Sequence, residues 1–458
     1  MGAKALLMVL LLALALRLVS AGIVGFSTVR FGDARAYLSA AETIAREGRY
    51  PIRTDVFFFR PPGYPAFLTA ATLGHPEKIA LSKIATASVG SLAAPLLALL
   101  SALLFRRRSV AIATGLFAAV HPAFLLTSSD VQSEPLFLAL LLGAGYLLLA
   151  AVDRPSTTLS LAAGGIAALA TLTRSSALVL VPFLLAPLLD RRYPRRARAH
   201  LAGAAVVGFL FVLAPWTIRN ALVFGEFIPV NDAAGNAFYQ GNSDWTLRFY
   251  ELRTREEYDR WVKAFNADMR RRSEEMRRAG QESPTARSRA FAAQALAERR
   301  RDHAEWAKLL FLKGWDWLRP YPHPIFWPRG IVFGVASGYV LLFSSTAIGL
   351  SRAPRPGVRL FVLAYLAVTM IAHVLIIVVW RYRVPYWDPV LVLYGTFGAG
   401  TLLTGWKVST RRAQSADRFR PAESKRCGSG ASDTGARSSS RARRPRGSRA
   451  AVRKPFSS

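Results

Sequence analysis

The sequence predicts an all-α polytopic membrane protein, and three observations indicate that class. Of the 458 residues, 52% are hydrophobic and only 19% are charged, which is too apolar for an ordinary soluble domain. Apolar windows of about 20 residues, the length at which a helix crosses a bilayer, recur along the chain. Many of the basic residues, which give the chain a net charge of +32, are concentrated in short stretches between those windows.

About ten of these windows are predicted to be transmembrane helices. They lie at residues 3–26, 79–105, 109–127, 135–152, 158–173, 175–189, 199–217, 330–350, 358–379 and 386–405. Arg17 interrupts the first window, which is also longer than the apolar part of a signal peptide, so we expect an uncleaved anchor. The apolar stretch 62–74 is too short to span and is expected to be re-entrant or interfacial.

The positions of the arginines predict the orientation of the chain. The short loops 106–108, 191–198 and 351–359 are rich in arginine, so they are expected on the cytoplasmic side together with both termini. The first loop, 27–77, and the long loop, 218–329, are then extracytoplasmic. The long loop is itself basic, but long loops are translocated largely regardless of their charge.

In the first outer loop, an amphipathic helix is predicted to begin at Asp33. Apolar residues recur at helical spacing from Ala34 to Ala45, and Gly48 ends the pattern. We expect this helix to rest its apolar face on the membrane. Asp33 could act only as an N-cap that accepts a backbone N–H of the first turn, or it could also accept a proton in catalysis.

The long outer loop is also predicted to be helical. Thr254 and Glu257 form a capping box at the start of one helix, and Gly280 ends it. A second helix is expected to begin at Ser283 and to run toward Gly314.

The C-terminal segment 406–458 is predicted to be a disordered, basic cytoplasmic tail, so the membrane domain is expected to comprise residues 1–405. The tail is rich in arginine, serine and glycine and has almost no aliphatic residues. Its charge suits the anionic lipids beside it better than a nucleic acid, which is not an expected partner. The single cysteine, Cys427, lies in this tail, so no intrachain disulfide can form and no cysteine-based metal site is expected.

Acidic and basic side chains are predicted to converge on the outer face, at the mouths of separate helices. The residues concerned are Asp33, Arg60, Tyr64, Asp130, Glu134, Arg219, Arg381 and Arg383. Guanidinium groups offer several charge-assisted donors in one plane, which suits a phosphate, and a carboxylate can accept the proton of an incoming hydroxyl or amine. Each residue alone also has a simpler explanation, since acids cap helices and arginines anchor them at the membrane surface.

Five stretches of the chain resemble bacterial glycosyltransferases of the GT-C fold. They are GDARAYLSAAETIAREGRY, RPPGYP, SEPLF, TLTRSS and APWTIRN…FGEFIPV…GN. The resemblance covers residues 1–405 in order and spacing, and it extends in particular to the group of protein O-mannosyltransferases and the aminoarabinose transferase that acts on lipid A. It implies a GT-C-like bundle of about ten transmembrane helices with two helical extracytoplasmic loops, and a donor sugar carried on a polyprenyl phosphate.

The resemblance also implies roles for individual residues. Asp33 matches the catalytic aspartate of the first loop, and Arg60 matches a basic residue that contacts the carrier phosphate. The other residues expected at the lipid phosphate are Tyr64, Arg219, Arg381 and Arg383. Asp130 and Glu134 are expected to form a second acidic site. Many relatives have an acidic pair where this chain has Asp33 alone, so the participation of a divalent metal ion is left open, and no other cofactor is expected.

The expected function is the transfer of a hexose or pentose from a polyprenyl-phosphate donor, with inversion, to an acceptor in the bacterial cell envelope. The acceptor is a lipid, a glycan or a protein on the extracytoplasmic side of the plasma membrane, among the membrane lipids. A transporter or flippase is the alternative, but it would place ionisable groups near mid-membrane, whereas the predicted spans are almost free of charge. A non-catalytic membrane scaffold is a second alternative.

Overall fold

A computed structural model describes residues 2–30, 32–51, 60–281, 283–354 and 356–403 of the chain. The described residues fold into helices, and none of them forms a strand. The predicted tail and the phenylalanines at 57–59 lie outside the described residues.

The described residues of the first half of the chain form ten α-helices and one long 3-10 helix. The α-helices are α1 (Ala3–Val24), α2 (Gly32–Glu47), α3 (Gly63–Ala71), α4 (Ile79–Ser91), α5 (Ala93–Phe105), α6 (Arg108–Val120), α7 (Pro122–Ser128), α8 (Glu134–Asp153), α9 (Thr157–Thr173) and α10 (Arg195–Phe224). The 3-10 helix, Ser175–Leu189, separates α9 from α10.

The second half contains nine more α-helices among the described residues. They are α11 (Ala233–Asn242), α12 (Asp244–Glu251), α13 (Arg255–Arg278), α14 (Pro284–Arg301), α15 (His303–Leu318), α16 (Arg329–Ser351), α17 (Pro356–Leu375), α18 (Trp380–Arg383) and α19 (Asp388–Leu403). A short 3-10 turn, Pro324–Phe326, precedes α16.

Helices that are long and apolar enough to cross a membrane make this a multi-pass membrane protein. Among the described residues six stretches meet that condition: α1, α4 together with α5, α8, α10, α16 and α17. A seventh results if α6 and α7, which meet at a bend of 49°, form one span. Three shorter apolar helices, α9, the long 3-10 helix and α19, coincide with the remaining predicted windows. Each of the ten windows therefore contains a helix among its described residues, and the count of ten spans remains a prediction.

The long outer loop confirms one helix of the sequence analysis and corrects another. Thr254 and Glu257 form the predicted capping box of α13, and Gly280 follows that helix with a φ of +72°. The helix expected from Ser283 toward Gly314 is in fact two helices. Asp302 separates them, because its side chain accepts the backbone N–H of Glu305 and starts α15.

The apolar face of α2 packs on protein, which corrects the prediction that this face rests on the membrane. Tyr37 and Leu38 of α2 are buried against α3 and the start of α8. The ring of Tyr37 meets that of Tyr64 edge to face, with 5.0 Å between their centroids. Gly63, at the start of α3, lies so close to the end of α9 that a Cβ atom would be 2.9 Å from the carbonyl oxygen of Leu172. These contacts bring α2, α3, α8 and the end of α9 to one place.

Two pairs of helices pack with their backbones in direct contact at glycines. Gly164 of α9 and Gly208 of α10 each face a carbonyl oxygen of the other helix, and a Cβ atom would lie 1.8 and 2.0 Å from it. Gly349 of α16 and Gly398 of α19 do the same, at 2.0 and 1.9 Å. No side chain other than the hydrogen of glycine fits at these four positions without moving a helix.

Candidate active site

Two arginines hold the carboxylate of Asp33 in the first turn of α2. Arg60 donates from Nη2 to Oδ1 of Asp33 at 2.7 Å, and Arg381 donates from Nη2 to Oδ2. The side chains of Asp33, Arg60 and Arg381 keep 24%, 27% and 22% of their surface exposed, so a ligand can reach all three. Asp33 lies inside the helix rather than at its N-cap, and the partners of its carboxylate are side chains.

The charge of Asp33 is set by these partners. Burial alone would raise the pKa of the Asp33 carboxyl, but the positive charges of Arg60 and Arg381 outweigh that effect and lower the pKa to about 2. Asp33 is therefore ionised at any physiological pH. With both guanidinium groups in place it is also a weak base, since a general base works best with a pKa near the working pH.

Arg381 also contacts two residues near the start of α8. It donates from Nη1 to Oε1 of Gln132 at 2.6 Å, and its Nε lies 3.7 Å from Oε1 of Glu134. Glu134 opens α8, where the helix dipole favours a negative charge, and its side chain is buried. The predicted residues Asp33, Arg60, Glu134 and Arg381 are thus brought together in one cluster.

Arg174 joins this cluster, although the sequence analysis did not propose it as a site residue. Its Nη1 lies 3.0 Å from Oε1 of Glu134 and donates to Oγ of Ser133 at 3.1 Å. Its guanidinium also lies 4.9 Å from the ring centre of Tyr382. Burial by itself would lower the pKa of Arg174, but the charge of Glu134 raises it, so the guanidinium stays protonated. The one sequence signal was an arginine directly after an apolar helix, in the stretch TLTRSS.

Tyr64 and Asp130 are buried next to the cluster and do not belong to it. Tyr64 is fully buried, with its hydroxyl in a 2.7 Å hydrogen bond with Thr86 of α4 and its ring against Tyr37 of α2. Asp130 is also fully buried, and it accepts the backbone N–H of Arg30 at 2.9 Å and pairs with Nζ of Lys83 at 3.5 Å. These contacts tie the first outer loop to α4.

Arg219 is connected to the cluster indirectly, through Tyr50. Its guanidinium lies 5.0 Å from the ring centre of Trp216, and its Nη2 donates to the carbonyl oxygen of Tyr50 at 3.3 Å. The hydroxyl of Tyr50 in turn donates to the carbonyl oxygen of Arg60 at 2.6 Å. Arg219 therefore supports the backbone that presents Arg60.

Arg383 points away from the cluster. It is fully buried, donates to the carbonyl oxygens of Trp317 and Arg319 at 3.1 and 2.9 Å, and has its Nε 3.5 Å from Oδ1 of Asp388. Residues two apart on a helix do not face the same side, so α18 directs Arg381 and Arg383 to different surroundings. The structure gives Arg383 partners within the protein.

The donor set of the site, as far as the described residues form it, does not fit a divalent metal ion. Within the described parts of the chain no three His, Cys, Asp or Glu side chains come together. Asp33, Asp130 and Glu134 each face an arginine or lysine.

Comparison with known proteins gives a match of part of the chain to one family model, and one shared fold. A family model described as dolichyl-phosphate-mannose-protein mannosyltransferase matches residues 60–218. None of the curated proteins matches the chain.

Among solved structures, the chain is similar to archaeal oligosaccharyltransferase AglB from Archaeoglobus fulgidus, in complex with an inhibitory peptide and a dolichol-phosphate. The TM-score is 0.52 at 14% identity, over 92% of this chain and 52% of that one. The apo form of the Archaeoglobus fulgidus oligosaccharyltransferase gives a TM-score of 0.51 at 16% identity, with the same coverage. ArnT from Cupriavidus metallidurans bound to undecaprenyl phosphate gives 0.39 at 16% identity, over 92% of this chain and 82% of that one. The chain thus spans about half the length of the solved oligosaccharyltransferase.

Proposed function

Because the chain has the GT-C fold of membrane glycosyltransferases, we propose that it transfers a sugar from a polyprenyl-phosphate donor to an acceptor outside the cytoplasm. The observation that carries this proposal is the cluster of Arg60, Asp33 and Arg381. It presents two guanidinium groups, each within hydrogen-bond distance of one carboxylate, and all three groups are partly exposed. The family model for dolichyl-phosphate-mannose-protein mannosyltransferases, which begins at Arg60 and includes Glu134 and Arg174, supports the same class of reaction.

The cluster can supply the two kinds of help that this reaction needs. Arg60 and Arg381 bind the phosphate and stabilise the negative charge that grows on it as the bond from the sugar C1 to the phosphate oxygen breaks. The electron pair of that bond leaves with the phosphate. The acceptor hydroxyl or amine forms the new bond to C1 and gives its proton to Asp33. Attack from the face opposite to the leaving phosphate inverts the configuration at C1.

The location of the reaction follows from the distribution of charge. The short arginine-rich loops favour a cytoplasmic position for both termini and an outer position for α2, α3 and the long loop. We therefore place the active site on the extracytoplasmic face of a bacterial plasma membrane. The acceptor is a lipid, a glycan or a protein of the cell envelope.

A transfer assay tests the proposal. The purified protein is reconstituted in vesicles with radiolabelled polyprenyl-phosphate sugars, one sugar at a time, and with envelope lipids, glycans or proteins as acceptors. We expect label to move onto an acceptor fraction. Label that crosses the bilayer and stays on its carrier would identify a flippase and overturn the proposal. Mass spectrometry of envelope glycans from cells with and without the gene then identifies the acceptor.

A further inference from the structure

We propose that the donor phosphate and the carboxylate of Asp33 compete for the same two guanidinium groups, so that binding of the donor is what frees Asp33 to act as a base. This inference rests on the proposed function, because it assumes that the ligand is a phosphate carried by a lipid. It assigns Asp33 a second role, as the anion that occupies the phosphate site when no donor is present.

The geometry of the paired state supports competition. Each carboxylate oxygen of Asp33 accepts one hydrogen bond, Oδ1 from Arg60 and Oδ2 from Arg381. The phosphodiester of a lipid-linked sugar also has two oxygens without substituents and one negative charge. It can therefore accept the same two hydrogen bonds and carry the same charge as the carboxylate that it replaces.

The arginines are held so that they remain in place when Asp33 leaves. Gln132 and Glu134 contact Arg381 through Nη1 and Nε, the nitrogens that do not reach Asp33. Arg174 in turn pairs with Glu134. The guanidinium of Arg60 lies 5.6 Å from the ring centre of Tyr37, a contact that does not depend on Asp33.

The exchange changes what Asp33 can do. While it is paired, the two positive charges hold its pKa at about 2, and it has little tendency to take a proton. Once a phosphate offsets those charges, the pKa of Asp33 rises, because the effect of burial is then opposed less strongly. The base is thus activated only when the donor is present. After transfer, Asp33 releases its proton to water, and the return of the carboxylate to the arginines helps to expel the carrier phosphate.

Equilibrium binding of undecaprenyl phosphate, the carrier without its sugar, tests the competition. The probe is titrated into the full-length protein in lipid nanodiscs, for the wild type and for Asp33→Asn. We expect Asp33→Asn to bind the carrier about 10-fold more tightly or better, since it no longer holds the arginines with a full charge. Glu47→Gln is the matched control: it removes one negative charge from the same helix at an exposed site paired with Arg49, and binding should stay at the wild-type value.

A second variant and a double mutant protect the test from a folding artefact. Asp33→Ser, a residue also accepted at helix starts, should show the same gain in affinity. When Arg60→Gln is combined with Asp33→Asn, most of the gain in carrier affinity should be lost, because one of the two guanidinium groups is then missing. Carrier binding that is unchanged or weaker in both Asp33 variants overturns the competition. If wild-type protein transfers sugar but both variants bind as wild type, this inference fails alone. If wild-type protein transfers no sugar, the proposed function fails, whatever the binding data show.

Discussion

Asp33→Asn separates a catalytic role of Asp33 from a structural one. Asparagine keeps the size of the side chain and its ability to accept a hydrogen bond, but it cannot take the acceptor's proton. Since general-base help is worth about 10²–10⁴-fold, we expect the transfer rate to fall by that factor while the protein is made in normal amounts. Initial rates of transfer at saturating donor measure the effect, with Glu47→Gln as the control on the same helix. A well-expressed asparagine variant with a near-normal rate would show that Asp33 is not the base.

Arg60 is expected to bind the carrier phosphate. A charge-assisted hydrogen bond contributes about 1.5–3 kcal/mol, so Arg60→Ala should weaken binding of undecaprenyl phosphate by roughly 10- to 150-fold. Arg60→Lys should lose only part of that affinity, because lysine keeps the charge and lacks the planar fork. Arg49→Ala, at an exposed arginine beyond the end of α2, is the control. Wild-type affinity in the alanine variant would mean that Arg60 only anchors its segment at the membrane surface.

The sequence alone identified part of the cluster. Asp33, Arg60, Glu134 and Arg381 could be predicted because each stands at the end of an apolar segment, where the chain meets the membrane surface. Arg383 could not be separated from Arg381 in this way, since the direction of each side chain depends on how α18 turns. Arg174 escaped notice because its role depends on Glu134, which is distant in sequence and adjacent only after folding.

At the scale of the elements, window hydropathy predicted where helices occur and missed where they break. The window 79–105 is divided at Leu92 into α4 and α5, and the window 109–127 bends at His121. An average over about 20 residues does not register a local break of this kind. The break at Asp302 had a readable signal, since an aspartate followed three residues later by Glu305 is a helix-start pattern.

The contact between α9 and α10 makes a sharp prediction about two glycines of α10. Gly208→Ala should lower the free energy of unfolding by about 1–3 kcal/mol, because its methyl group would overlap the backbone of α9. Gly203→Ala should be neutral or stabilising by up to about 1 kcal/mol, because a Cβ at that position meets no atom within 4 Å and alanine favours the helix. Thermal unfolding of both variants in the same detergent measures the difference. Equal stability of the two variants would contradict the packing described here.

Lys313 predicts a pH dependence of stability. This buried lysine of α15 donates to Asn242 and to the carbonyl oxygen of Ile376, which links α15 to the end of α17. Burial lowers its pKa from 10.5 to about 7. Between these two values the unfolded chain holds a proton that the folded protein does not, so raising the pH stabilises the fold.

We therefore expect the melting temperature of the wild type to rise between pH 7 and pH 10 more than that of Lys313→Met. Thermal unfolding at several pH values measures the two slopes. Lys308→Met, at an exposed lysine of the same helix, should keep the wild-type slope. Parallel curves for wild type and Lys313→Met would rule out Lys313 as the source.

At the scale of the whole molecule, the orientation in the membrane is open to a direct test. Reporter fusions at Arg107 and Asp268 should report opposite sides, with Arg107 in the cytoplasm, because short arginine-rich loops stay inside. Alkaline phosphatase activity and green fluorescence distinguish the two sides. If both sites report the same side, α2 and the long loop do not share one face of the membrane, and the proposed outer active site is wrong.

The backbone contacts at the four glycines have a mechanical consequence. Helices that touch in this way cannot roll or slide past each other without a clash, so α9 with α10 and α16 with α19 each behave as one rigid strut. Most of α17, by contrast, faces outward, since only 11% of its apolar window is buried. Arg381 lies on the short stretch between α17 and the strut that begins at Asp388, and the fully buried Arg383 anchors the same stretch. Because Gln132 and Glu134 hold Arg381 as well, the strut gives its guanidinium a fixed support at which either Asp33 or a phosphate can bind.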